Sequence, residues 1–187
     1  MFQSAPPARP LTAPFRLAGL IHGAAVRHVR RSHGNAAWGL VMNILQTVLF
    51  VAAFYMMFAL LGLRGTVLRG DFLLFIMSGV FLFMTHTKTV GAIVGAEGPA
   101  APMMLHAPMT TAVSLSGAAL GALHIQILSM GVILGVYHAA VTPIAIHQPA
   151  GAMGMVLLAW ASGVGVGLLL AALKPWLPDL ATTLSTV

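Results

Sequence analysis

The sequence predicts an all-α polytopic membrane protein: a helical bundle of about four transmembrane helices, preceded by an N-terminal amphipathic interface helix. Three observations predict it. First, the chain is 59% hydrophobic and 6% charged over 187 residues, whereas soluble domains carry about 25% charged residues. No soluble fold of this size hides so much apolar surface, so the bilayer is the solvent. Second, four apolar runs each exceed or approach the roughly 20 residues needed to cross the hydrocarbon. Third, nine Lys and Arg stand against three acids, an excess that speaks to orientation and anionic lipid before nucleic acid. There is no cysteine, which excludes disulfide and thiolate chemistry. No short apolar core followed by a small-residue cleavage site opens the chain, so no signal peptide is expected.

Residues 1–14 hold four prolines and read as a disordered or extended tail. Residues 15–33 read as the interface helix. Leu17, Ile21, Ala24, Ala25 and Val29 share one helical face, while Arg16, Arg27, Arg30 and Arg31 cluster on the other, with Leu20 out of pattern among them. An apolar stripe opposite arginines suits a helix lying in the membrane surface. No aromatic residue is interleaved with the arginines, as nucleic-acid binding would favour.

The transmembrane domain spans 36–187. Its first span covers 36–63, and Asn43, Gln46 and Thr47 are expected to share a face that looks into the protein, because polar groups in lipid need partners. A short turn with Arg64, Arg69 and Asp71 leads to the second span, 72–91. Lys88, near its end, is expected to snorkel to the interface, and His86 reads as a packing residue rather than a ligand. A compact Gly/Pro/Met connector, 95–108, precedes the third span, 112–141. Pro143 to Pro149 reads as an uncharged turn before the fourth span, 151–173, which ends at Lys174, Pro175 and Trp176. Residues 180–187 read as the opening of a further span. Glycines four apart at 91/95, 117/121, 131/135 and 163/167 point to close helix packing.

Charge sets the expected orientation. Five arginines precede the first span, and Lys88 and Lys174 fall on the same side; only Arg64 and Arg69 fall on the other. The N-terminus, the connector and the end of the fourth span are therefore expected to be cytoplasmic.

The chain offers little for covalent chemistry. Its three acids, Asp71, Glu97 and Asp179, lie in separate loops. No glycine-rich loop ends in Gly-Lys-Ser/Thr. His124 and His138 lie on one face of the third span, about 21 Å apart by the helical rise, as the ligand pairs of two-haem membrane cytochromes do. No second span offers a matching pair, so His124 is expected to bond within the bundle and His138 to sit near the outer interface. No cofactor is expected.

Taken in order, these residues resemble a known family. The basic amphipathic helix, a span opening near Trp38-Gly39, the words DFLLFIMSG at 71–79 and PMMLHAP at 102–108, and Leu177-Pro178-Asp179-Leu180 are similar to the membrane (permease) subunit of type-2 ABC exporters for capsular polysaccharide, O-antigen and related cell-surface glycans. The resemblance covers most of 15–187. It implies a non-enzymatic transport subunit in the bacterial inner membrane, paired as a homodimer and driven by a separate ATPase subunit. It implies that Glu97, Met103, Met104, Leu105 and His106 contact that ATPase. Arg16, Arg27, Arg30, Arg31, Lys88 and Trp176 then sit at the membrane interface, against anionic lipid. Asn43, Gln46, Thr47 and Tyr55 line the path of the glycan. Members have six spans, so the last two are expected to be lacking here and the 187-residue form inactive in export. A small membrane scaffold without transport, and the haem protein above, are the alternative readings.

Overall fold

The computed structural model describes residues 18–26, 36–62, 71–96, 110–144, 148–174 and 176. Over these residues the chain is an all-α bundle without strands. Helix α1 takes residues 18–26. Four long apolar helices follow: α2 (Ala36–Leu60), α3 (Phe72–Val94), α4 (Thr111–Ala140) and α5 (Pro149–Leu173). All four are long and apolar enough to cross a membrane, so the chain is a multi-pass membrane protein.

Local chemistry sets the ends of each helix. Leu61 and Gly62 close α2, with Leu61 N–H donating to Met57 C=O at 3.1 Å and Gly62 N–H to Ala59 C=O at 3.2 Å. Gly62 has φ of 69°, a left-handed conformation that glycine adopts without a Cβ penalty. The chain therefore turns out of the helix three residues before the expected end at 63. Asp71 caps α3, its carboxylate accepting Leu73 N–H at 2.9 Å. Gly91 does not end this helix, which continues to Val94 with Gly95 as C-cap. Thr110 caps α4 through Val113 N–H at 3.3 Å. Pro149 opens α5 rather than closing the preceding turn, because the first turn of a helix needs no N–H from its residues.

Helices consecutive in the chain run antiparallel, so α3 and α5 lie parallel, as do α2 and α4. The beginnings of α2 and α4 and the ends of α3 and α5 share one end of the bundle with α1; Asp71 marks the other. Helix α3 is the hub, packed on α2, α4 and, most extensively, α5, while α2 also touches α4. One core cluster is Met77, Phe81, Met130 and Tyr137; the other is Ile76, Val80 and Met84. Helices α2 and α5 stay largely exposed along their length, as lipid-facing helices do. With 30 residues, α4 is about 45 Å long against a hydrocarbon core of about 30 Å. It must tilt or project.

The glycine pairs divide. A Cβ on Gly163 would lie 2.7 Å from the His86 carbonyl oxygen, and one on Gly167 3.0 Å from Ile93 Cβ. Helix α5 can approach α3 this closely only because both positions lack a side chain. Gly117 does the same for α1, where a Cβ would come within 2.4 Å of Ala24 Cβ. Gly131 and Gly135 have nothing within 4 Å; their spacing marks no helix contact among the described residues.

Several sequence expectations fall outside the described residues: the tail 1–14, Arg16, Arg27, Arg30 and Arg31, the connector from Glu97 through Met103, Met104, Leu105 and His106, and the segment 180–187.

Candidate functional site

The polar side chains of the spans collect in a band nearer the α1 end, where three helix seams meet. At the α2–α4 seam, Asn43 Nδ2 donates to Gln126 Oε1 at 3.1 Å and to Ser129 Oγ at 2.8 Å. Ser129 Oγ donates onward to Ile125 C=O at 2.8 Å. Gln126, Ser129 and Thr47 are at most 1% exposed, so these bonds form where no water competes. Thr47, Thr85 and Thr89 are buried and return their hydroxyls to the carbonyls four residues back, Asn43, Phe81 and Thr85 respectively. Gln126 Nε2 is the one buried side-chain polar atom without a partner among the described residues.

Gln46 departs from the expected shared face. Asn43 and Thr47 are buried, while Gln46 is exposed. The helical repeat explains this: at about 100° per residue, 47 stands about 40° from 43 on one side and 46 about 60° on the other. Gln46 Oε1 instead accepts a hydrogen bond from Lys88 Nζ. Lys88 thus turns sideways onto α2 rather than reaching along its own helix to the interface. Tyr55, half-buried, lies further along α2, where its ring meets Phe72 at 6.3 Å between centroids.

At the α3–α5 seam, His86 Nδ1 lies 2.9 Å from Ser162 Oγ. The same hydroxyl lies 2.8 Å from Ala159 C=O. Trp160 Nε1–H donates to Ala119 C=O at 2.9 Å, tying α5 to α4. At the α1 end, Lys174 Nζ donates to Val94 C=O at 3.0 Å. A cation there also suits the negative end of the α3 dipole. Trp176 follows, 84% exposed, as an aromatic belt residue would be.

A second cluster marks the opposite end. The Tyr137 hydroxyl donates to Asp71 Oδ2, and Thr142 Oγ1 lies 3.3 Å from the same oxygen. The Tyr137 hydrogen bond holds the Asp71 carboxyl below its ordinary value of 3.8. His138 Nδ1 accepts Ile144 N–H at 2.8 Å. His124 is exposed, contrary to the expected bond within the bundle. Between these ends, α3, α4 and α5 enclose a cleft of about 590 Å³ lined by Leu74, Leu82, Ile127, Gly131 and Met153. Its one polar lining residue, Ser78, donates to Phe75 C=O at 2.7 Å.

The band therefore brings together Asn43, Thr47, Gln46 and Lys88 from the sequence expectations and leaves Tyr55 apart. Sequence reading passed over Gln126, Ser129, Trp160 and Tyr137. Two of these were findable: a lone amide in mid-span needs a partner, and so does an indole N–H. Among the described residues no three His, Asp or Glu side chains gather as a metal would need. The band supplies hydrogen-bond donors, acceptors and one ammonium, most of them paired within the bundle. No protein-family model, no curated protein and no solved structure matches this chain.

Proposed function

We propose that this chain is the permease subunit of an exporter that moves a polysaccharide or lipid-linked glycan across the bacterial inner membrane, working as a homodimer and powered by a separate ATPase. One observation carries the reading furthest. Gly117, six residues into α4, seats Ala24 of α1, so α1 lies at the bundle end where α3 stops and α4 starts. Those two helix ends frame the connector 95–108. An interface helix beside the two helix ends that flank the connector is the arrangement that docking of an ATPase requires. Residues 1–187 hold no glycine-rich loop ending in Gly-Lys-Ser/Thr, and on this reading the energy comes from a separate ATPase. The excess of Lys and Arg at the α1 end makes that end cytoplasmic.

The test is co-purification of the full chain with a separate ATPase subunit. Met104 and Leu105 are the apolar centre of the connector and fit a partner's groove. Replacing both with Asp is expected to abolish co-purification while the bundle keeps its unfolding transition. Unchanged co-purification would remove the connector from the contact. Reporters fused after Arg69 and after Pro99 are expected to read outside and inside; the reverse pattern would overturn the orientation.

A further inference from the structure

We infer that Lys88 and Gln46 form a seat for the phosphate of an amphiphile. Lys88 is the only residue of α2 to α5 with a formal charge. It lies six residues from the end of α3, about 9 Å inside it by the helical rise. Asp71, the one acid among the described residues, caps the opposite end of the same helix, about 25 Å away by the rise. Among the described residues the ammonium therefore has a neutral partner and no counter-charge.

What the pair presents outward is one-sided. Gln46 is exposed and Lys88 half-exposed, so both face out of the bundle at membrane depth. Gln46 Oε1 is taken by the ammonium, which leaves the amide with N–H groups to offer. Nζ keeps two of its three donors. The spot shows donors and positive charge only, and its complement is an anion with several oxygens. Most of the band around it is already paired: the buried threonines bond their own helix, and Asn43 is spent on α4, leaving Gln126 Nε2 as the one buried side-chain polar atom without a partner among the described residues. Beyond the seat the surface turns apolar. Leu45, Leu49 and Phe83 are exposed, and the Phe50–Phe83 ring pair, 6.1 Å between centroids, closes the α2–α3 seam towards the Asp71 end. A ligand that satisfies both parts carries a phosphate on a hydrocarbon tail. Two sources share that chemistry, a bilayer phospholipid and the polyprenyl phosphate of a lipid-linked glycan. The second rests on the exporter reading; the seat itself does not.

The experiment is native mass spectrometry of the full chain in a neutral detergent, titrated separately with polyprenyl phosphate, with polyprenol and with phosphatidylglycerol. Polyprenyl phosphate is expected to bind at least tenfold more tightly than polyprenol. Lys88→Gln is expected to erase that difference, Lys88→Arg to keep it within threefold, and Arg69→Gln to leave it unchanged. Lys88 dependence for phosphatidylglycerol alone would keep the seat, assign it to bilayer lipid, and withdraw its support from glycan export. Binding of both phosphate lipids unchanged in Lys88→Gln would overturn the seat whatever the chain transports. Each variant is checked for the wild-type unfolding transition. Should Lys88→Gln fail it, Gln46→Leu takes its place, with at least a threefold loss expected and no loss overturning the seat.

Discussion

Two seams hold the bundle together by opposite means. Helix α5 lies on α3 by absence: Gly163 and Gly167 have no side chains, and the backbones close on each other. Helix α2 is tied to α4 by presence: Asn43 reaches across to Gln126 and Ser129. Lipid offers no hydrophobic drive between helices, so association draws on close packing or on polar bonds. The first seam demands shape and tolerates no added atom. The second demands paired atoms and tolerates changes made to both partners at once. The difference teaches where each seam is brittle.

The largest effect is expected at the glycine seam. Gly163→Leu drives a side chain into the His86 carbonyl, and overpacking of this kind costs about 3 kcal/mol. Chemical unfolding in detergent micelles is the measurement, and a loss below 1 kcal/mol would mean that α5 slides at little cost. Next comes the amide seam. Asn43→Leu leaves Gln126 Oε1 and Ser129 Oγ buried without their donor, at about 1–2 kcal/mol. Adding Gln126→Leu should return most of that loss, because it removes the orphaned amide altogether. A double variant weaker than the single one would show that the seam is held by shape as well.

A smaller, pH-dependent effect separates both seams from the tie at the far end. The Asp71 carboxyl is lowered by the Tyr137 hydroxyl. A lowered carboxyl stabilises the fold above its unfolded-state value, and that contribution disappears as pH falls through the folded-state value. Stability of the wild type is therefore expected to decline as pH drops below 3.8, and Asp71→Asn to show less of that decline. Thermal melts between pH 5 and pH 3, at constant ionic strength, read both. The smallest effect is expected from Gly131→Ala, within about 0.5 kcal/mol of wild type, since nothing lies within 4 Å of that position. A large loss there would mean that the cleft between α3, α4 and α5 is filled.

The fold class was legible because composition alone excluded a soluble core, and the four spans followed from length. Boundaries were less so. Gly91 read as an end although one glycine costs a helix only about 1 kcal/mol, and Pro149 read as turn although the first helical turn accepts proline. Glycine spacing named the right device but not where it is used: 163/167 touches a neighbour, whereas 131 opens on a cleft and 135 has nothing within 4 Å, a difference of rotation about the helix axis that four-residue spacing does not carry. Asn43 and Thr47 were legible as inward-facing. Their partner Gln126 lies 83 residues away from Asn43, and no local pattern encodes such a pairing. Gln46 was misjudged by the same geometry, since a helix face is narrower than the arc from 46 to 47.

The contact between Ala24 and Gly117 has a consequence in time. Helix α1 leaves the ribosome before α2 to α5, yet the surface it rests on is made roughly 90 residues later, which at cellular synthesis rates takes roughly 5 to 20 s. During that interval two whole spans must enter the membrane while α1 has no protein to lie against. On the proposed reading its resting place until then is the bilayer surface, and its amphipathic sequence is first a waiting position and only afterwards a joint. The contact between α1 and α4 thus forms by an older segment docking on a much younger one.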